Sequence, residues 1–155
     1  MQPDTAKTAF RPADEAGMRA ALEAARRALA GGEPPIGACI VADGEVIACT
    51  HNGVAGGPDA TAHAEILAIR AACRGQRTPR LDDATLYATV EPCPMCLAAC
   101  HYAGIRRVVY GAGLPDMHEL TEDELFAAPP PEISLTGGVL AEECRALLRD
   151  WAGRG

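Results

Sequence analysis

Two short clusters, His63-Ala64-Glu65 and Pro92-Cys93-Pro94-Met95-Cys96, constrain this chain more than any other feature, because their side chains make chemical sense only together. One imidazole and two thiolates are three soft-to-borderline ligands, one fewer than a closed tetrahedral zinc site needs. A fold that joins them leaves a fourth position for water, whose pKa a zinc ion lowers to roughly 7. Glu65, two residues beyond the imidazole, is placed to move protons between that water and a substrate. Taken singly, the clusters say little. A C-x-x-C is also a redox pair or half of a structural zinc site.

The two clusters fall at the starts of two helices. Pro94 suits the first turn of a helix running to about Ala103, and a helix over 62–74 carries His63 and Glu65, with Thr61 as its cap. Free amide donors and the positive end of the helix dipole suit a thiolate-rich metal site there. Ahead of them, Met18, Leu22, Ala25 and Leu29 recur at helical steps in a helix over 14–30, which Gly31-Gly32 stops. Apolar runs over 36–42 and 45–49 flank Asp43-Gly44, a two-residue hairpin signal. Residues 52–59, with three glycines and a proline, form a loop.

Further strands are expected over 84–90 and 105–111, with an acidic helical turn within 114–128 that Pro129-Pro130-Pro131 breaks. A short fifth strand follows over 132–136. A closing helix over 139–151 carries Leu140, Cys144, Leu147 and Trp151 on one stripe. A hairpin is antiparallel and strand–helix–strand units are parallel. The expected architecture is therefore a three-layer α/β/α sandwich around a five-stranded mixed sheet.

At 155 residues the chain suits one domain, expected over 13–155 behind a disordered lead-in of residues 1–12. Hydrophobic residues make up 48% and aromatic ones only 4%, so the core is built from Ala, Val, Ile and Leu. No apolar run approaches the roughly 20 residues of a membrane span, and no signal-like segment stands at the start. Cytoplasmic residence is the expectation. Cys39, Cys49, Cys73 and Cys144 then read as buried free thiols, and Cys100 as a packing residue. The formal net charge of −7 opposes nucleic-acid binding except through a local patch.

The pairing of His-Ala-Glu with Pro-Cys-Pro-Met-Cys resembles the cytidine-deaminase-like zinc deaminases over roughly residues 14–151. The resemblance implies Zn2+ held by His63, Cys93 and Cys96, with Glu65 as general acid/base. Water would attack an amino-bearing ring carbon and ammonia would leave. Pro35-Ile36-Gly37-Ala38, Asn52, Asp59 to Glu65 and Glu91 to Cys96 are similar to one branch of that family. That branch holds guanine deaminases, fungal-type cytosine deaminases and bacterial tRNA adenosine deaminases. By this resemblance Asn52 contacts the substrate ring, beside backbone groups around Ala64, Pro92 and Cys93. Otherwise Asn52-Gly53 is simply a turn. The resemblance further implies a homodimer.

The stretch 135–151 is similar to the end of the tRNA adenosine deaminases, but the charge pattern argues against that substrate. Asp116, Glu119, Glu122, Asp123 and Glu124 lie between Leu114 and Ala128 with no Lys or Arg among them. A free base carries no phosphate, and Asp116 or Glu119 could accept its N–H groups. Solvated helix surface is an equal reading of all five. Arg74, Arg77 and Arg80 form at most a local basic patch. The expected function is hydrolytic deamination of a small nucleobase or related heterocycle, with nucleic acid and membrane not expected as partners. The alternatives are a tRNA-specific adenosine deaminase and an inactive zinc-stabilised binding module, against which the intact Glu65 speaks.

Overall fold

The computed structural model describes residues 11–121, 134 and 137–153. Helix α1 (Pro12–Ala30) is followed by the hairpin β1 (Gly37–Ala42) and β2 (Glu45–His51), then α2 (Ala64–Gln76), β3 (Thr85–Val90), α3 (Pro94–Ala103) and β4 (Arg107–Ala112). Two further helices, α4 (Leu114–Thr121) and α5 (Ala141–Ala152), complete the described elements. The sheet order is β2-β1-β3-β4. β1 runs antiparallel to β2 and β3, while β3 and β4 are parallel across the α3 crossover.

The mixed sheet expected from the sequence is present, with four strands among the described residues where five are predicted. Ser134 is exposed and outside any strand. The rest of the expected strand over 132–136 lies outside the described residues. Helix α1 begins at Pro12, inside the expected lead-in, because a proline at its start needs no hydrogen-bond acceptor and Asp14 accepts the Arg11 N–H at 2.7 Å. Residues 1–10 of that lead-in lie outside the described residues.

Asp43 and Gly44 both take positive φ, 50° and 78°, the backbone of a tight hairpin whose twist matches its strands. Alternation then splits the strand side chains between two layers. Ala38, Ile40, Leu86 and Ala88 face α2 and α3 in the larger core. Cys39 and Tyr87 face the other way, against Ala21 of α1. Helix α2 presents Ala64, Ala68 and Ala72 at four-residue steps, all fully buried. Methyl-sized side chains let that helix lie close to the sheet, which is how a chain so poor in aromatics fills its interior.

On the α1 side, Asp14 is buried to 1% exposure and receives both terminal nitrogens of Arg107, at 2.6 and 2.7 Å, and the Tyr87 hydroxyl at 2.9 Å. These bonds, led by Arg107, hold its carboxyl below the usual carboxylate range.

Three expectations change in three dimensions. Cys39 and Cys49 stand opposite each other in the β1–β2 register and are joined as a disulfide, not kept as free thiols. Cys144 is exposed. Of the stripe of the closing helix, Leu147 is 71% exposed, and Leu140 sits ahead of the helix at φ 50°. No described helix is long and apolar enough to cross a membrane.

Candidate active site

The loop after β2 and the end of β3 deliver the two clusters to neighbouring helix starts. His63 is the N-cap of α2 and Cys93 the N-cap of α3, both with extended backbone. Neither side chain caps its own helix, so imidazole and thiol are free to turn toward each other. The expected cap, Thr61, instead donates its hydroxyl to Asp59 Oδ1 at 2.7 Å, because the helix starts two residues later than Thr61 would require. One turn of α3 brings Cys96, fully buried, alongside Cys93.

His63 Nδ1 lies 3.6 Å from Cys93 Sγ and 3.5 Å from Cys96 Sγ, and the two sulfurs are 3.6 Å apart. A tetrahedral zinc with bonds of about 2.3 Å to sulfur and about 2.0 Å to nitrogen needs sulfur–sulfur and sulfur–nitrogen edges of about 3.8 and 3.5 Å. The triangle therefore fits one face of a zinc tetrahedron, and its donor set of one imidazole and two thiolates is a zinc set. Cys100 is buried in the core beneath, and burial pushes its thiol up to about 11. It belongs to the packing.

Glu65 is buried at 4% exposure, with Oε2 3.5 Å from Cys96 Sγ. Burial raises its carboxyl from the ordinary value. The hydrogen bond shared with Cys96 holds the Cys93 thiol down to about 4, while that bond and burial drive Cys96 up. Hydrogen bonding to Cys93 raises the His63 imidazole.

A cavity of about 320 Å³ opens over these groups, and Asn52, His63, Glu65 and Cys93 all line it. Asn52 is buried, and its Oδ1 accepts the Val54 N–H at 3.1 Å. That bond fixes which end of the amide is which, and Nδ2 faces the task of donation. Thr50 Oγ1 donates to Ala64 O at 2.7 Å, tying the first turn of α2 to β2.

His63, Glu65, Cys93, Cys96 and Asn52 are thus brought together from the sequence-predicted set. Ala64 and Pro92 are buried beside the ligands without lining the cavity. Asp116 and Glu119 are not in it. Both are exposed, and Asp116 Oδ2 accepts the Gly113 N–H at 2.8 Å at the start of α4. The side of α4 that reaches the cavity carries Leu114 and Met117.

Two carboxylates that sequence reasoning passed over do line it. Glu91 Oε2 accepts the Leu114 N–H at 2.9 Å, and Glu33 enters from the turn after α1. Glu91 stood at the head of the Glu91 to Cys96 motif without being read as a site residue, and the only sequence signal for Glu33 was a carboxylate directly before a proline, which is weak.

Residues 11–112 match the cytidine and deoxycytidylate deaminase zinc-binding region. The chain is 41% identical over 141 residues to the tRNA-specific adenosine deaminase of Bacillus subtilis, covering 87% of this chain and 86% of that one. Its structure is similar to the X-ray structure of guanine deaminase from Bacillus subtilis, with TM-score 0.76 and 35% identity over 90% of this chain and 93% of the other. A structure from studies of A-to-I editing by tRNA:A34 deaminases matches with TM-score 0.62 and 49% identity, covering 64% of this chain and 76% of that one. With the zinc-fitting triangle and the buried glutamate beside it, these matches establish that the chain belongs to the cytidine and deoxycytidylate deaminase zinc-binding family and is a zinc-dependent deaminase.

Proposed function

We propose that the substrate is a small free nucleobase or close heterocyclic analogue, deaminated by water with release of ammonia. The observation that carries this reading is the cavity: about 320 Å³, at the small end for ligand pockets, with Glu33, Glu65 and Glu91 and no lysine or arginine among its described lining residues. A substrate bearing phosphates needs cations at the entrance.

His63, Cys93 and Cys96 would hold the zinc, which would supply the Lewis acidity that makes water nucleophilic near neutral pH. Glu65 accepts a proton from the attacking water and passes it to the ring nitrogen beside the reacting carbon. It then assists the departing amine, which leaves as ammonia. Asn52, its carbonyl oxygen occupied by Val54, donates from Nδ2 to an acceptor on the ring. Burial of Glu65 keeps its proton transfers away from bulk water.

A second reading, deamination of adenosine in tRNA, is favoured by the 41% identity to a tRNA-specific adenosine deaminase over most of both chains and by the likeness to a tRNA:A34 deaminase structure. Ammonia release measured with guanine, cytosine, adenine and isoguanine and their nucleosides, next to inosine formation in an anticodon stem-loop, separates the two. Turnover of at least one small heterocycle, nearly insensitive to moderate salt, is expected. Inosine in the stem-loop with every small heterocycle untouched would establish the second reading.

A further inference from the structure

Helix α4 gives the cavity two of its apolar wall residues, Leu114 and Met117, yet it is an element that holds itself poorly. It is 8 residues long, too short to persist alone in water, and none of its described side chains is fully buried. Two carboxylates take the N–H groups at its start. Asp116 Oδ2 accepts the Gly113 N–H at 2.8 Å, which closes the first turn on itself. Glu91 Oε2 accepts the Leu114 N–H at 2.9 Å from across the sheet end, directly after β3. The backbone N–H of Glu91 also donates to Ala112 O at 2.8 Å. One residue therefore grips the chain on both sides of Gly113, the single residue between β4 and α4. Pro92 stiffens the step from Glu91 to Cys93, the N-cap of α3, so the fastening of α4 stands on the same short segment as a metal-binding thiol.

We propose that Glu91 is a positioning residue for the substrate: through the Leu114 N–H it sets α4, and with it Leu114 and Met117, against the bound heterocycle. The carboxylate acts through α4 and does not itself read the base. This rests on the deaminase reading above and adds to it the residue that fixes the apolar wall. A bond to an ionised oxygen is strong enough to hold a short helix in place. Aliphatic side chains that are already in place bind a ring more tightly than a loose wall, which must be ordered on binding.

The test compares zinc-loaded wild type with Glu91→Gln and Glu91→Asp. Gln loses the charge and keeps an oxygen at the same reach, whereas Asp keeps the charge and withdraws the oxygen by one methylene. Steady-state kinetics on the best-turned-over of guanine, adenine and cytosine are paired with hydrogen exchange of the backbone amides over 114–120. Glu91→Asp should raise KM about tenfold with kcat changed by less than about threefold, and exchange over α4 should quicken. Glu91→Gln should restore KM to within about threefold of the wild type, with wild-type exchange. Met117→Ala, which thins the same wall, should also raise KM more than it lowers kcat.

Wild-type KM and exchange in Glu91→Asp overturn the proposal and leave the deaminase reading intact. So does a raised KM without faster exchange over α4. Equal losses in Glu91→Asp and Glu91→Gln overturn it by placing the carboxylate charge on the substrate, and loss of zinc or fold in Glu91→Asp overturns it by assigning the residue to the frame. If the wild type deaminates only the anticodon stem-loop, the free-base reading fails and the same comparison on the stem-loop decides Glu91. Turnover of neither substrate class by zinc-loaded protein overturns both.

Discussion

Cys96 Sγ lies 3.5 Å from Glu65 Oε2, so one cysteine touches both the metal-binding triangle and the buried carboxylate. A thiol of the zinc-fitting triangle is thus also a polar neighbour of the buried Glu65. Metal binding and proton transfer share one wall.

Metal content is the first consequence. Purified protein should contain about one zinc per chain, with two sulfurs and one nitrogen in its X-ray absorption spectrum. Cys93→Ala and Cys96→Ala should lose zinc and stability together, because the ion binds the folded state; at a hundredfold excess over Kd that linkage is about 2.7 kcal/mol. Cys100→Ala should keep its zinc. Four sulfurs around the ion would show that the triangle is misassigned.

Glu65→Gln should retain zinc, fold and ligand affinity while kcat falls by at least about 100-fold, the size of effect expected for a positioned general acid/base. Elemental analysis and steady-state kinetics on one preparation check both halves. Near-normal turnover would remove Glu65 from the mechanism.

Asn52→Ala should weaken substrate binding about tenfold or more, through loss of the Nδ2 donor and of the Oδ1 anchor on Val54. Asn52→Asp keeps an oxygen for the Val54 anchor and replaces the donor by a carboxylate oxygen. A KM that rises in the alanine variant alone would assign Asn52 to the loop turn and not to the substrate.

Asp14→Asn should destabilise the fold by about 3–5 kcal/mol, because it leaves the Arg107 guanidinium without its buried counter-charge. The pH dependence has a definite sign. The Asp14 carboxyl is held below its usual range in the folded state, so its contribution is complete above about pH 4 and is lost as pH falls below that value. Denaturant melts at pH 7 and at pH 3 should show the gap between wild type and Asp14→Asn narrowing at the lower pH. A gap that widens on acidification would contradict the ion pair.

Much of the site was legible in one dimension because its parts obey local rules. His63 and Cys93 precede residues that start helices, Pro94 marks one start by its fixed φ, and Cys96 follows at a one-turn interval. Asp43-Gly44 set the hairpin, and with it the antiparallel half of the sheet. These are preferences a few residues long, and they were sufficient to place His63, Glu65, Cys93 and Cys96 at two helix starts and to give the mixed α/β architecture.

What only the tertiary structure decided involves residues that are far apart in sequence and carry no local signal. Asp14 and Arg107 meet across the α1 side of the sheet, and nothing within either segment announces a buried ion pair. Cys39 and Cys49 become neighbours through the register of β1 and β2. Asp116, acidic and beside the site in sequence, turns outward to bond Gly113, while Glu33, with no motif to mark it, ends at the cavity wall. Composition places charge in a segment. Which way a helix is rotated, and which loop closes over a cavity, is set by how apolar faces pack, and those faces are assembled from the whole chain.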